Sequence, residues 1–217
     1  MTALASISTL PLSLTDRMGM AEKVEMRAEL NAYVDFALEC EYSVEYSDGK
    51  IISMGLASLS HEALVSRIAY LLTHLLGINS EYVVAGSNVP TSIPGYKAIH
   101  NADVVVVKGK ADFITHAGVR KKMKALANPW MLVEVLSPST RNFDLGTKTP
   151  RYKTMPSVQY ILVVDQQKPY AALYSRTQNP GEWLNTETTD IAEGFVKINR
   201  RRLRLSDIYR SIIDDAN

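Results

Sequence analysis

The sequence predicts an α/β protein with a central mixed β-sheet flanked by helices. Helical and β-prone segments follow one another without the regular strand–helix–strand alternation of a doubly wound fold. Two apolar runs, residues 103–107 and 130–136, are typical of strands covered on both faces. No G-x-G-x-x-G or Walker sequence is present, which disfavours nucleotide-binding folds.

The first elements are predicted from composition and turn chemistry. Residues 1–20 show no periodicity and are interpreted as a loose N-terminal arm, followed by a single domain over residues 21–217. Good helix formers dominate residues 21–39 and predict a helix. The Asp48-Gly49 dipeptide between two β-prone runs then predicts a tight hairpin.

A second helix is expected to begin with Ser60 as its cap and to end at Gly77. Residues 81–89 are strand-like, and residues 110–128 are interpreted as either a short helix or a mobile basic loop. Thr149-Pro150 predicts a further helix start. A strand pair over 160–165 and 170–175 and a short terminal helix after Ser206 complete the order.

The composition excludes several classes of protein. With 217 residues, 46% hydrophobic, the chain can bury a full core, and its net charge of +1 provides no global attraction for nucleic acid. No apolar stretch reaches the ~18 residues of a membrane span, and the N-terminus lacks the pattern of a signal peptide. A cytoplasmic protein without a membrane partner is expected. The single cysteine, Cys40, favours a reducing compartment weakly.

Two acidic residues lie where a buried strand is predicted. Asp103 begins Asp103-Val-Val-Val-Val, and Glu134 interrupts the apolar run 130–136. Burying a carboxylate is costly unless it is paired or bound to a cation. A divalent ion between two such strands would remove the repulsion, and oxygen ligands suit Mg²⁺ or Mn²⁺. Alternatively, Asp103 caps a strand edge and Glu134 pairs with a nearby lysine or arginine.

The order of several motifs resembles a known family. The Asp103 strand, Val-Glu134-Val-Leu-Ser-Pro-Ser-Thr and Asp144-x3-Lys148-x3-Tyr152 are followed by Val158-x-Tyr160 and Val163-Val-Asp165. Upstream lie Glu45-x2-Asp48-Gly49 and the helix opened by His61. Over roughly residues 42–210, this order closely resembles the Uma family of putative restriction endonucleases, a branch of the PD-(D/E)XK nuclease superfamily.

The resemblance implies a restriction-endonuclease-like core in which Asp103 and Glu134 bind Mg²⁺ or Mn²⁺. The carbonyl of Val135 would be a further ligand, and Glu45 would support the site. DNA is the implied partner. A homodimer is compatible with the resemblance, although no dimer surface can be read from the sequence.

The superfamily's Glu-x-Lys reads Glu134-Val135-Leu136 here, so the catalytic lysine is absent from its usual place. Lys148 is the proposed substitute, and Pro150 places it in the turn before a helix. A solvated surface lysine is the alternative. His61 could contact phosphate or water, and Tyr152 could face the cleft; a capping histidine and a packed tyrosine are the plainer interpretations.

The leading functional hypothesis is a Mg²⁺-dependent deoxyribonuclease that uses a metal-activated water. One alternative keeps the fold as a catalytically decayed nucleic-acid-binding or scaffolding protein, and another is a small-molecule phosphohydrolase. Two basic runs, residues 120–124 and 200–204, could contact phosphates, although such runs are usually solvated faces.

Overall fold

A computed structural model describes residues 9–212 of the chain, and residues 1–8 of the expected N-terminal arm lie outside the described part. The helical segments are α1 (Leu14–Met18), α2 (Leu30–Ala37), α3 (Leu59–Leu76), α4 (Arg141–Phe143), a π-helical turn (Asp144–Lys148), α5 (Thr149–Thr154) and α6 (Leu205–Tyr209). The strands are β1 (Val24–Arg27), β2 (Glu45–Ser47), β3 (Lys50–Ser53), β4 (Tyr82–Ala85), β5 (Val89–Ser92), β6 (Ala98–Ala102), β7 (Val104–Lys108), β8 (Phe113–Ala117), β9 (Lys122–Leu126), β10 (Pro129–Leu136), β11 (Tyr160–Asp165), β12 (Ala171–Arg176), β13 (Trp183–Thr188), β14 (Phe195–Ile198) and β15 (Arg201–Arg204).

A six-stranded mixed sheet carries the centre of the fold. Its strand order is β13-β12-β11-β10-β7-β4, and β10 and β11 form a parallel pair within it. Every residue of β10 is buried. The two apolar runs therefore form adjacent central strands, and the predicted α/β class with a mixed sheet is confirmed.

Helices cover both faces of this sheet. On one face, α3 and α6 pack against β10 through Met131, Val133 and Val135. The opposite face contributes Leu132 and Leu136, which pack with Tyr152 of α5 and its neighbours. Side chains alternate along a strand, so Glu134 belongs to this second, α5-covered face.

A second sheet has seven strands in the order β1-β3-β2-β6-β5-β9-β8. The two sheets are joined at Asp103, the single residue between β6 and β7. Its backbone N–H donates to the carbonyl of Val133 at 3.0 Å. The junction thus brings Asp103 next to the strand that carries Glu134.

The N-terminal region differs from its prediction. Residues 14–18 form α1, with Arg17 buried, so the expected loose arm is wrong for the described residues 9–20. The single helix expected over 21–39 is also wrong, because β1 pairs with β3 before α2 begins at Leu30. Tertiary pairing with the hairpin overrides the local helix propensity of this stretch.

The predicted hairpin turn is confirmed, whereas the predicted helix cap lies two residues earlier in the chain. The Asp48-Gly49 hairpin is confirmed, with positive φ at both residues, as a tight turn between twisted strands requires. The cap of α3 is Ser58 rather than Ser60, and its hydroxyl accepts from the N–H of His61 at 3.2 Å. Within residues 9–212, no helix is both long and apolar enough to cross a membrane.

The stretch 110–128 is neither a helix nor a mobile loop. It forms the antiparallel hairpin β8–β9, on the edge of the seven-stranded sheet. Met123 and Ala125 of β9 are buried while Lys122 and Lys124 are exposed, an alternation that the basic run concealed. Arg120 and Lys121 lie in the turn and pair with Glu39.

The helical segment after β10 begins earlier than Pro150 implies. It starts at Arg141, and a π-helical turn over Asp144–Lys148 precedes the proline. Because Pro150 has no N–H to donate, the changed bonding of a π turn accommodates it without a break. Lys148 therefore lies inside the helical segment, not in a preceding turn.

Candidate active site

Asp103 lies at the sheet junction with a partly exposed side chain. Its Oδ2 accepts a hydrogen bond from the backbone N–H of Val135 at 2.7 Å. This bond across the strands fixes the carboxylate beside β10. Asp103 therefore lies at the end of a strand, as one interpretation of the sequence expected, and its carboxylate also contacts Val135 of β10.

Glu134 is 1% exposed, and both of its carboxylate oxygens have partners. Oε1 accepts from the hydroxyl of Tyr152 at 2.7 Å. Oε2 lies 3.2 Å from Nζ of Lys148. The alternative in which Glu134 pairs with a lysine is thus part of the observed arrangement, and the lysine is Lys148.

Lys148 is 4% exposed, which excludes a solvated surface lysine. Its Nζ lies 2.8 Å from Oε1 of Glu45 and 3.3 Å from Oδ1 of Asp144, besides its contact with Glu134. It also donates to the carbonyl of Asn101 at 3.1 Å. The single ammonium group is therefore the shared counter-ion of three buried carboxyl groups.

The pKa values follow from this excess of negative charge. Burial raises the pKa of Glu134 well above its usual value, and Asp144, Asp103 and Glu45 add to the increase against the opposing effect of Lys148. The pKa of Asp144 is raised as well, chiefly by burial. Burial opposes the charge on Lys148, but the surrounding carboxylates raise its pKa well above the ordinary value.

Glu45 differs from Glu134 and Asp144 because the effects of Lys148 and His100 on its pKa outweigh that of burial. Burial would raise its pKa, yet Lys148 and His100 lower the pKa from 4.5 to about 2. Nδ1 of His100 lies 2.8 Å from Oε2 of Glu45 and donates to it, since a carboxylate can only accept. On the other side of the ring, Nη1 of Arg151 lies 3.5 Å from Nε2.

Arg151 extends this network to the hairpin turn. It donates to the hydroxyl of Ser47 at 2.7 Å and forms an ion pair with Asp48. The β2–β3 hairpin is thereby connected through His100 to the carboxylate that holds Lys148. The predicted supporting role of Glu45 has a physical basis in this network.

We expect the variant Glu45→Gln to lose about 3 kcal/mol of unfolding free energy at pH 7, the value of a pKa lowered from 4.5 to about 2. A lowered folded-state pKa stabilises above pH 4.5, and this contribution is lost as the pH falls toward 2. The difference between wild type and variant should therefore narrow below pH 4.5. Denaturant unfolding at pH 7, 5, 4 and 3 measures it.

The exposed Glu193, on the segment between β13 and β14, offers the matched control. Glu193→Gln should change the unfolding free energy by no more than about 0.5 kcal/mol at any of these pH values. A constant deficit in Glu45→Gln from pH 7 to pH 3 would contradict the assignment of Glu45 as an ionised partner of Lys148.

His61 and Tyr152 both contact the predicted acids. Nε2 of His61, in the first turn of α3, lies 3.5 Å from Oδ2 of Asp103. Burial lowers the pKa of His61, but Asp103 and Glu62 outweigh it and the net shift is upward. Tyr152 is fully buried and its pKa is raised, so its phenol stays a neutral donor to Glu134.

A cleft of about 790 Å³ leads from the surface to these groups. Asp103, Glu134 and Lys148 lie on its lining, together with Glu45 and Asp144. His61 and the Ser137–Thr140 turn lie on the lining as well. All but one of the sequence-predicted side chains thus meet at one cleft, and Tyr152 is buried behind Glu134.

The donor chemistry at the floor of the cleft fits a hard divalent cation. Carboxylate and carbonyl oxygens are the ligands Mg²⁺ and Mn²⁺ prefer. Oδ1 of the buried Asp144 accepts no hydrogen bond from the described residues and has only its 3.3 Å ion pair with Lys148, and the carboxyl groups outnumber the one lysine among them. Within residues 9–212, no group of three or more His, Cys, Asp or Glu side chains is arranged as a metal site. Asp103, Glu134 and the Val135 carbonyl are the set that fits by chemistry.

Sequence reasoning gave no role to three residues of the site. Asp144 was quoted in the motif Asp144-x3-Lys148-x3-Tyr152, and its spacing of four from Lys148, which favours one helix face, was the signal for its role. His100 and Arg151 gave no local signal. They meet only because β6 pairs with β2 and the helical segment packs against that hairpin.

The family model described as Uma2, putative restriction endonuclease, matches residues 30–197. Two similar proteins come from Synechocystis sp. and are both described as uncharacterized. The first, sll1609, is 28% identical over 71% of this chain and 85% of its own length. The second, slr1290, is 32% identical over 69% of this chain and 75% of its own length.

A solved structure also shares the fold. The crystal structure of a putative nuclease belonging to DUF820 from Anabaena variabilis superposes with a TM-score of 0.61 at 14% sequence identity. The match covers 82% of this chain and 98% of that one. The fold expected from the sequence, a mixed sheet flanked by helices, is therefore confirmed and is shared with this solved structure.

Proposed function

Since this chain belongs to the Uma2 family of putative restriction endonucleases, we propose that it hydrolyses phosphodiester bonds in nucleic acid with Mg²⁺ or Mn²⁺ bound at Asp103 and Glu134. DNA is the proposed substrate. The nucleophile in this proposal is water, and no organic cofactor takes part.

One observation carries the proposal: Nζ of Lys148 lies 3.2 Å from Oε2 of Glu134. The sequence lacks the lysine two positions after the second acid, and a lysine from the π-helical turn lies beside that acid instead. An acid pair with an adjacent ammonium group at the floor of a cleft is a suitable arrangement for phosphodiester hydrolysis.

Each residue has a distinct role in this proposal. Asp103, Glu134 and the Val135 carbonyl would hold the cation, which when bound polarises the phosphate and lowers the pKa of water. The ammonium of Lys148 would stabilise negative charge that develops on the phosphate. Tyr152 fixes the orientation of Glu134 through its 2.7 Å hydrogen bond.

Three further residues act through the residues above. Glu45 and His100 hold Lys148 in place beneath the cleft. His61 supports Asp103, since its Nε2 lies 3.5 Å from Oδ2 of that carboxyl group. All three are positioning residues.

Cleavage assays test the proposal. Purified protein is incubated with supercoiled, linear and single-stranded DNA in Mg²⁺, in Mn²⁺ and in EDTA, beside the variant Asp103→Ala. We expect cleavage by the wild type in either metal, none in EDTA, and a loss of at least about 100-fold in the variant. Asp112→Ala, an exposed aspartate before β8, is the matched control and should cleave normally.

Three results would overturn the proposal. Folded wild-type protein that cleaves no nucleic acid and binds no Mn²⁺ would indicate a non-catalytic nucleic-acid-binding or scaffolding protein. Activity on chromogenic phosphodiesters alone would indicate a small-molecule phosphohydrolase. Equal cleavage by Asp103→Ala would place the chemistry elsewhere.

A further inference from the structure

The N-terminal segment, residues 9–22, contributes one wall of the active-site cleft. It precedes residues 30–197, the part of the chain that matches the family model. Leu14, Met18, Met20 and Glu22 nevertheless line the same cleft as Glu134. In this chain, one wall of the cleft is therefore formed by residues outside the matched range 30–197.

Arg17 anchors this wall. It is 4% exposed, and its guanidinium donates to the hydroxyl of Ser53 at 2.6 Å. It also donates to the carbonyls of Ala21, Glu22 and Met54 at 2.8–3.0 Å. A buried charge so fully bonded to backbone carbonyls fixes the segment against the end of β3.

Three side chains of this wall that line the cleft are apolar, and those of Met18 and Met20 carry polarisable thioethers. Met18 is 60% exposed on the cleft lining, and Leu14 and Met20 lie there with it. Leu56, 66% exposed, also lines the cleft. Thioethers contact aromatic rings favourably, and every nucleobase has a π face that stacks.

The charges of the cleft oppose a dense phosphate backbone. Its described lining carries seven acidic side chains, of which Glu45, Glu134 and Asp144 share Lys148 as their counter-ion; the other four are Glu22, Glu41, Glu62 and Asp103. The lysine and arginine on that lining are Lys148 and Arg17, both buried and fully engaged. Duplex DNA carries a charge every ~1.7 Å of its axis, against ~3.4 Å for one strand, so the duplex is penalised more.

Resting on the proposed function, we propose that the cleft takes single-stranded nucleic acid and stacks an unpaired base on the wall formed by Leu14, Met18 and Met20. The charge of the lining and the thioether wall both favour contact through a base over contact through the backbone. Duplex substrates would be attacked where they fray or are already open.

Fluorescence anisotropy with a labelled 12-nucleotide strand, alone or as a duplex, tests the proposal in EDTA, where metal-dependent cleavage cannot occur. We expect the single strand to bind at least about tenfold more tightly than the duplex. Met18→Ala should weaken single-strand binding about fivefold or more, and Met18→Glu further. Leu12→Ala is the matched control: Leu12 lies in the same segment, is 46% exposed and does not line the cleft.

Equal or tighter duplex binding, no single-strand binding, or the same affinity in Met18→Ala and Leu12→Ala would overturn the inference. Circular dichroism confirms that the exposed Met18 substitutions leave the fold intact. Cleavage of the same oligonucleotides in Mg²⁺ separates the two proposals. Single-strand binding without cleavage would contradict the proposed nuclease activity and support base stacking on the wall. Duplex cleavage that Met18→Ala leaves unchanged would support the nuclease activity and contradict base stacking on the wall.

Discussion

Replacing Lys148 with methionine should abolish nucleic-acid cleavage and destabilise the fold at the same time. Its ammonium lies within 3.3 Å of Glu45, Glu134 and Asp144, so its removal leaves three buried carboxyl groups without their shared counter-ion. Removing one partner of a buried charge cluster costs about 3–5 kcal/mol of unfolding free energy. The loss of charge stabilisation near the phosphate should lower the cleavage rate by at least about 100-fold.

The pH dependence distinguishes this effect from a packing defect. The deficit in Lys148→Met should be largest at neutral pH, where the buried carboxyl groups must either stay charged without a counter-ion or take up protons that the unfolded chain does not bind. The deficit should shrink in acid, where the unfolded chain is protonated as well. Denaturant unfolding at pH 7 and pH 5, with cleavage assays, measures both effects. Lys168→Ala, an exposed lysine between β11 and β12, is the control and should stay within about 0.5 kcal/mol. Full activity of a folded Lys148→Met protein would contradict the role given to this lysine.

Glu134→Gln should separate activity from stability in the opposite way. Burial and three neighbouring acids raise the pKa of Glu134, so its ionised form destabilises the folded state at neutral pH. The amide removes this charge, and the hydroxyl of Tyr152 can still hydrogen-bond with it. We expect unchanged or increased unfolding free energy at pH 7, with cleavage lowered by at least about 100-fold and Mn²⁺ binding lost.

The sign of the pH effect follows from the raised pKa. A carboxyl group with a raised folded-state pKa favours the fold more as the pH falls toward that value, so the advantage of Glu134→Gln should be greatest at neutral pH and decline in acid. Thermal unfolding at pH 7 and pH 5 measures it. Glu187→Gln, at the edge strand β13, is the matched control. A loss of stability as large as that of Lys148→Met would show that the Glu134 charge is needed by the fold.

The sequence predicted the central strands because their signals are local and strong. The Val run and the run around Glu134 indicated buried strands, Asp48-Gly49 indicated a hairpin, and all three are confirmed. The predictions of an N-terminal helix and of the structure of residues 110–128 were wrong for one physical reason. Both stretches form strands that join the seven-stranded sheet: β1 pairs with β3, and β9 of the β8–β9 hairpin pairs with β5. Local propensity does not reveal such pairing.

The candidate site likewise combines residues that local sequence predicts with contacts that only the tertiary structure reveals. Asp103 and Glu134 stood out because a carboxylate in an apolar run requires an explanation. Lys148 was identified by order along the chain, yet its burial was hidden, because the π-helical turn lets the helical segment continue past Pro150. The contact between His100 and Glu45, 55 residues apart, depends on sheet topology alone.

Isothermal titration of the wild type with Mn²⁺, beside Asp103→Ala and Asp112→Ala, measures whether Asp103 holds a metal ion. We expect one Mn²⁺ per chain for the wild type and the control, and binding weakened at least about 30-fold in Asp103→Ala. Absence of Mn²⁺ binding by the folded wild type, or equal affinity in all three proteins, would contradict a metal site at Asp103 and Glu134.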